Sequence, residues 1–319
     1  MTEMFSECNS LKSITQNFDG NKVKDISKMF YCCYSLTSLD FKNFNAEKIE
    51  YMYATFYDCY SLTSIDLSSF DTKYAKDMQF LFSGCKSLKY INVSDFDTDY
   101  VTSMSAMFQN CNSLTSIDIK NFNVEKVVDV SYMFALCYSL TSIDLSNFNC
   151  RSHNFQNMFA SCTSLKSIDI SSFDTGFANL IDSMFKNCVS LEYINLPKLD
   201  FGIVRDMNLM FFNCYSLKSI NISASYTKSL KNIEKMFLNC SSLTSIVLSN
   251  FDVVYVESMN EMFYNCSNLI YVDISSFKSS LKQILLFNNL PSHGEIVVKT
   301  NFYDKIKNQI PENWNKTFK

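Results

Sequence analysis

The segment MFALCYSLTSIDLSNF, residues 133–148, holds the pattern that decides how this chain folds. Its cysteine, Cys137, belongs to a ladder of eleven cysteines spaced 26 residues apart, or 25 before Cys33 and Cys162. A fixed period between about 20 and 50 residues is the signature of stacked supersecondary units. We therefore expect a repeat protein. The ladder consists of Cys8, Cys33, Cys59, Cys85, Cys111, Cys137, Cys162, Cys188, Cys214, Cys240 and Cys266.

The apolar residues that follow each ladder cysteine predict a strand. If the cysteine is position 0, Leu occupies position +3 in every repeat, Ile, Leu or Val occupies +6, and Phe usually occupies +11. The spacing L-x-x-I-x-L-x-x-F follows the leucine-rich-repeat pattern, with Phe where that pattern has Asn. The alternation of Ile143, Asp144 and Leu145 is typical of a strand with one buried face.

The residues that precede each cysteine predict a short helix. Before Cys111 the apolar residues recur at steps of three or four, at Val101, Met104 and Met107. This spacing places them on one face of a helix. Asp or Asn residues such as Asp97 stand before these stretches and can accept the free N–H groups of a first helical turn.

Together these patterns predict an α/β solenoid: a leucine-rich-repeat-like right-handed superhelix with one parallel β-sheet and short helices on the opposite face. Residues 1–277 are predicted to form about eleven repeats of 25 or 26 residues, and residues 278–319 a C-terminal capping segment. Within that segment we expect a strand at 295–299 and a helix at 302–309. A solenoid needs such a cap because its last open coil exposes unpaired edges.

The repeats resemble the BspA-like leucine-rich-repeat surface proteins. The resemblance is carried by residues 133–148 and by Phe70-Asp71-Thr72, which lead to Met78, and it extends from about residue 4 to residue 277. It implies a solenoid at the cell surface, or secreted, that takes part in adhesion. The N-terminal residues show no basic segment followed by an apolar stretch, so no signal peptide is expected there.

The composition disfavours several classes of partner. The net charge of −4 is too small to predict nucleic-acid binding or a polybasic membrane patch. No apolar run approaches the roughly 18 residues of a membrane span, so no membrane insertion is expected. Neither feature predicts an oligomeric state.

The sequence offers little for catalysis. His153 and His293 are the only histidines, and no nucleophile elbow, phosphate-binding loop or H-E-x-x-H motif occurs. We therefore expect no enzyme activity, no catalytic residue, no cofactor and no metal site. Both histidines are more simply interpreted as surface residues at the edges of repeats.

The cysteine ladder allows three interpretations: a disulfide framework, a metal array, or a column of buried thiols. One cysteine per repeat, without the short pairs that metal sites use, favours buried thiols. Cys32 and Cys150 lie outside the ladder. Cys32, next to Cys33, is predicted to face outward.

The strand itself offers the best candidate for a binding surface. Positions +5 and +7 point away from the core by alternation. Asp residues stacked at +7 repel one another, and a basic partner or a cation could relieve that repulsion, although neighbouring hydroxyls and water could equally satisfy so regular a column as part of the architecture. Tyr residues interrupt the Ser column at +5 and are favoured at interfaces. The candidate partner-binding residues are Asp40, Asp66, Tyr90, Asp118, Asp144, Asp169, Tyr193 and Tyr271.

These observations predict a non-catalytic binding module that recognises a protein or glycan ligand through the sheet face, in the manner of a surface adhesin. The alternative is an intracellular structural or scaffolding repeat protein whose thiols stay reduced.

Overall fold

A computed structural model describes residues 1–14, 20, 22–41, 44, 46, 48–196, 201–222 and 227–319. The chain divides into two compact units. Unit 1 comprises Met1–Ser152 and Met158–Ser164, and unit 2 comprises His153–Asn157 and Leu165–Lys319. Each unit is a stack of the 25- or 26-residue repeats, here called coils.

Short parallel strands form at the predicted place in the coils. In unit 1 the strands are β1 (Ser13–Ile14), β2 (Ser38–Leu39), β3 (Ser64–Asp66) and β4 (Tyr90–Asn92). In unit 2 they are β5 (Ser167–Asp169), β6 (Tyr193–Asn195), β7 (Ser245–Val247), β8 (Phe263–Tyr264), β9 (Tyr271–Asp273), β10 (Phe287–Asn288), β11 (Glu295–Val298) and β12 (Asn315–Phe318). Every pairing is parallel.

The strands join equivalent positions of successive coils, so that Ile65 pairs with Ile91 and Ile168 with Ile194. The prediction of one continuous sheet is not met in the described parts of the two units. Unit 1 has the pairs β1–β2 and β3–β4, and unit 2 has β5–β6, β8–β10 and a four-stranded sheet in the order β12-β11-β9-β7. Eight coils form a strand of two or three residues at this place, and the coils of Cys111, Cys137 and Cys214 form none, which keeps the ladders short.

The prediction of a short helix in each coil is wrong. Among the described residues the only α-helix is α1 (Thr300–Ile306), and 3₁₀ turns occur at Thr175–Phe177 and Lys307–Gln309. The segment before each cysteine is instead a run of β-turns. The fold is therefore a parallel β-solenoid of about eleven coils with little helix.

The coil that ends at Cys111 shows why a helix cannot form. Alternate N–H groups donate to carbonyls of the next coil at 2.7–3.0 Å, and those donors are Met104, Ala106, Phe108 and Asn110. The N–H groups of Met107, Gln109 and Cys111 donate to the carbonyl three residues earlier, and that of Ser105 donates to the hydroxyl of Ser103. A helix would turn all of these groups along its own axis and leave none for the neighbouring coil. The apolar spacing of three and four fits both structures.

The turns require a left-handed residue every fourth position. In most coils the residues at −5 and −1 have φ between +50° and +65°, as Ala106 (+54°) and Asn110 (+61°) do. A β-turn with positive φ at its third residue favours Gly or Asn there. Position −1 accordingly holds Asn in five coils, among them Asn110 and Asn187, and Gly84 in another.

The Asp or Asn residues expected to cap helices form local turns instead. The side chain of Asp97 accepts the N–H of Asp99 at 3.0 Å, and that of Asn123 accepts the N–H of Glu125 at 3.1 Å. The next residue, Thr98, is buried, and it links its coil to the following one. Its hydroxyl donates to the carbonyl of Asn123 at 2.9 Å and accepts the N–H of Asn123 at 2.7 Å.

The core consists of columns of identical side chains. Phenylalanines at position −3 stack with ring centroids 5.4–5.7 Å apart. In unit 1 they are Phe5, Phe30, Phe56, Phe82, Phe108, Phe134 and Phe159, and in unit 2 they are Phe185, Phe211, Phe237 and Phe263. Burial of each ring contributes roughly 1.5–3 kcal/mol to folding.

The cysteine ladder is a column of free thiols beside these rings. Nine of the eleven thiols donate to the carbonyl of the Phe in the preceding coil, as Cys85 does to Phe56 at 3.1 Å and Cys240 does to Phe211 at 3.2 Å. All ladder cysteines are buried except Cys8, which is exposed in the first described coil. Cys32 is also buried, so the prediction that it faces outward is wrong. Its thiol lies against Tyr31 and Tyr34, whose hydroxyl groups form side-chain hydrogen bonds with it.

The C-terminal segment contains the predicted strand and helix. β11 pairs on one side with β9 of the last repeat and on the other with β12. Trp314 is buried, and its indole N–H donates to the carbonyl of Pro291 at 2.9 Å. The assignment of residues 278–319 as a separate cap stays a prediction.

We predict that Gly84→Ala destabilises the protein by about 1–3 kcal/mol. Gly84 has a φ of +79°, and a Cβ there would overlap with Oδ1 of Asp58 and lie 3.1 Å from its Cα. Urea denaturation of the variants would measure the loss. In Asp58→Ala/Gly84→Ala the overlap with the carboxylate is gone, so the second substitution should cost less than it does alone. Additive effects would refute this explanation.

We also predict that one thiol of the thirteen reacts rapidly with a thiol reagent at pH 8 in the native protein, and all thirteen after unfolding. Burial raises the pKa of Cys33 to about 11 and of Cys137 and Cys266 to about 12. Since the thiolate is the reactive form, these groups should stay inert. Cys8→Ser should remove the native reaction. Rapid reaction of several thiols in that variant would contradict a closed column.

Candidate functional site

The candidate surface is the set of side chains at positions +5 and +7, here called the strand face. The intervening residue at +6 is buried in the strands, as at Ile65 and Ile168. The neighbours of these residues, Ser64, Asp66, Ser167 and Asp169, are exposed. The alternation predicted from the sequence therefore places these side chains in solvent.

In unit 1 the structure brings two candidate residues together. Asp40 and Asp66 line one cavity of about 280 Å3, with Ser38, Ser64 and Ser68 among the other lining residues. Tyr90 pairs in register with Ser64 and is 60% exposed. Carboxylates, hydroxyls and an exposed aromatic ring thus share the surface formed by β2, β3 and β4.

The strand-face Asp residues have a local structural role. One carboxylate oxygen accepts the N–H two residues further on: Asp66 from Ser68, Asp118 from Lys120, Asp144 from Ser146 and Asp169 from Ser171, at 2.8–3.2 Å. Asn92 accepts the same bond from Ser94 at 3.3 Å. The bond turns the chain at the end of the strand. It explains the regularity of the column and supports the architectural interpretation of this oxygen.

Some of these carboxylates have a neighbour in an adjacent coil. The amide of Asn92 donates to Asp66 at 3.2 Å, and Nζ of Lys120 lies 3.9 Å from Asp144. The N–H of Ser146, its hydroxyl and Lys120 lower the pKa of Asp144, so this exposed group is ionised at neutral pH. Unit 1 therefore presents an acidic surface, which Lys120 contacts at Asp144.

Unit 2 contributes the remaining candidates. Asp169 accepts from Asn195 at 3.0 Å, and hydrogen bonds from Ser171 and Asn195 lower the pKa of Asp169. Tyr193 is 52% exposed. Tyr271 is half-buried. Its neighbour Asp273 is buried, and Oδ2 of Asp273 lies 3.5 Å from Nζ of Lys319. The C-terminal strands thus reduce the solvent exposure of the strand face near Tyr271.

Sequence reasoning missed a second polar column, at position −8. These residues form parallel bridges from coil to coil, such as Asp77 to Ser103 in unit 1 and Asp206 to Asn232 in unit 2. Their side chains accept the N–H two residues on, as Asp77 does from Gln79 at 2.9 Å. The recurrence of Asp, Asn or Ser eight residues before the cysteine was the available signal.

Stacked tyrosines are a further feature of unit 1. The rings of Tyr31 and Tyr57, and those of Tyr34 and Tyr60, lie 4.9 Å apart. Nζ of Lys86 lies 4.0 Å from the centroid of Tyr60. These rings face one another along the stack, so their faces are largely covered.

The described residues contain no group of three or more His, Cys, Asp or Glu side chains placed to hold a metal ion. Within the same residues, no helix has the length and apolar character needed to cross a membrane.

Comparison with known proteins identifies the repeats. The family model described as "Mycoplasma protein of unknown function, DUF285" matches residues 1–92, 76–193 and 180–285. Curated protein sequences give no significant match.

Several solved structures are similar. A leucine-rich cell surface protein from Faecalibacterium prausnitzii is 20% identical, with 88% of this chain and 76% of that chain covered and a TM-score of 0.42. A leucine-rich repeat protein from Bacteroides ovatus is 19% identical, with coverages of 89% and 78% and a TM-score of 0.37. One from Eubacterium ventriosum is 20% identical, with coverages of 69% and 55% and a TM-score of 0.39.

Proposed function

The chain belongs to this DUF285 family, and from its repeat architecture we propose that it is a non-catalytic module that binds a protein partner through the strand face. The observation that carries the proposal is the exposure of acidic and tyrosine side chains on a backbone held by the coils beneath it. Such a surface is already ordered before binding, which limits the entropy lost on association.

The charge of the strand face favours a basic segment of the partner. Asp40, Asp66, Asp118 and Asp144 are all exposed along unit 1. Asp118, for example, accepts its local N–H through Oδ1, so its Oδ2 can accept from a ligand. Complementary charge raises the rate of association and selects among partners.

The exposed tyrosines would supply the apolar part of the contact. Tyr90 and Tyr193 stand at equivalent +5 positions, one in each unit, and both rings are more than half exposed. Tyrosine buries a large area with few rotatable bonds, and it is frequent among residues that dominate binding energy.

The biological role that we propose for this binding is adhesion at the cell surface. It rests on the resemblance to BspA-like surface proteins, whose members take part in adhesion. A panel of purified extracellular-matrix proteins, immobilised and probed with the whole chain, tests it directly. Saturable binding to at least one member is expected, and absence of binding to all of them would count against the adhesin role.

We predict that Tyr90→Ala or Tyr193→Ala weakens binding to the captured matrix protein about tenfold, or ~1.4 kcal/mol. Biolayer interferometry would measure the dissociation constants. Tyr100→Ala and Tyr255→Ala are the matched controls, because these tyrosines are 52% and 63% exposed but lie at position +15, outside the strand face. Equal losses from the control variants would place the binding surface elsewhere.

We further predict that Asp118→Asn/Asp144→Asn slows association several-fold at low salt and leaves stability nearly unchanged. Asn accepts the same local N–H bond, as Asn92 does from Ser94, so the substitution removes charge alone. The difference from the unsubstituted protein should shrink in 0.5 M salt, because screening weakens the attraction. Unchanged association at low salt would contradict a basic partner.

A further inference from the structure

An asparagine ladder runs along the turns of unit 2. Asn187, Asn213, Asn239 and Asn265 occupy position −1 in successive coils, all with φ near +60°. The amide nitrogens of Asn213, Asn239 and Asn265 each donate to the side-chain oxygen of the preceding Asn, at 2.9, 2.7 and 2.9 Å. These amides are therefore held by one another along the stack.

The backbone repeats this arrangement once more after the ladder ends. Asn289 has the same left-handed φ of +60°, and the N–H of Asn265 donates to the carbonyl of Asn288 at 3.1 Å. Within the described part of unit 2, however, the side-chain amides of Asn288, Asn289 and Asn308 form no hydrogen bond with the protein. All three are on exposed residues.

These three amides line a cavity of about 540 Å3. Tyr264 of β8, Leu285 and Pro311 form other parts of its wall, and no lining residue carries a charge. The volume lies within the range of small-molecule sites, about 300–1,000 Å3. The cavity thus combines free neutral hydrogen-bonding groups with an aromatic ring and aliphatic surface.

The wall of this cavity is fixed by Gln309. Its Oε1 accepts the N–H groups of Leu286 and Phe287 at 2.8 and 3.0 Å, and its Nε2 donates to the carbonyl of Ile284 at 2.6 Å. In earlier coils such N–H groups donate to the next coil, as that of Phe237 does to Met262. The Gln309 side chain therefore supplies the hydrogen bonds that a following coil would make and holds the segment of β10 in place.

We propose that this cavity binds a neutral saccharide of one or two rings. Each amide offers both a donor and an acceptor, which is the pairing that sugar hydroxyls need. The absence of charge along the lining disfavours acidic or basic ligands, and the Tyr264 ring and aliphatic wall suit the C–H faces of a pyranose. An extended peptide is disfavoured, because Gln309 already occupies the Leu286 and Phe287 N–H groups that β-strand addition to β10 would use.

This site is separate from the strand face, so its test is independent of the proposed partner binding. The whole chain would be mixed with glucose, galactose, mannose, N-acetylglucosamine and their common disaccharides, each at millimolar concentration. Saturation-transfer-difference NMR would detect binding, with glucuronic acid and the peptide Ala-Ala-Ala as comparison ligands. We expect signal from at least one neutral sugar and none from the comparison ligands.

The variant Asn289→Gly/Asn308→Ala should weaken that binding at least tenfold. Glycine at position 289 keeps the left-handed backbone without strain and removes only the amide. Asn157→Gly is the matched control, since Asn157 has a φ of +55° at a turn away from the cavity. Circular dichroism would show that all variants fold.

Binding lost in the double variant and kept in the control would support the site. No signal from any neutral sugar, equal binding by the double variant, or signal from the peptide alone would each overturn the proposal.

Discussion

Hydrogen bonds between successive coils are the constraint on which this structure depends. Every second peptide group of the turn segments donates along the stack, as Ala106 and Phe108 do to the next coil. The groups between them close β-turns within their own coil. Since buried N–H and C=O groups must be paired, this alternation fixes the backbone of the whole segment. A helix would satisfy each coil separately and remove the bonds that hold neighbours together.

The side chains follow from that arrangement. Left-handed residues recur at −5 and −1, and six of the eleven coils have Asn or Gly at −1, the residue types that adopt this conformation most readily. Identical side chains then lie one above another, so that rings stack in columns and small thiols reach the carbonyls of the preceding coil. Cysteine suits this position because it is small and apolar and still offers a weak donor.

The same regularity separates architecture from function. Strand-face Asp residues such as Asp144 and the Asp and Asn residues at −8 accept a nearby N–H group, so their repetition has a structural cause. Binding is better sought where the repetition is interrupted. Tyr90 and Tyr193 interrupt the Ser column, and the amides beside Tyr264 stand where the asparagine ladder stops. At such places a side chain is released from its neighbours and is available to a ligand.

The sequence by itself determined the period, the columns and the inward or outward direction of the strand residues. Apolar and polar residues alternate along each strand, and the same residue types recur every 25 or 26 positions, so both periods can be read from the sequence. It also located the strand and helix of the C-terminal segment. It could not distinguish turns from helix before Met107 and Cys111, since steps of three and four suit both. Only the tertiary structure decided that point, together with the burial of Cys32 and the free amides of Asn289 and Asn308. All three features depend on which hydrogen-bonding and side-chain groups the neighbouring coil places beside them. The sequence of a single repeat does not contain that information.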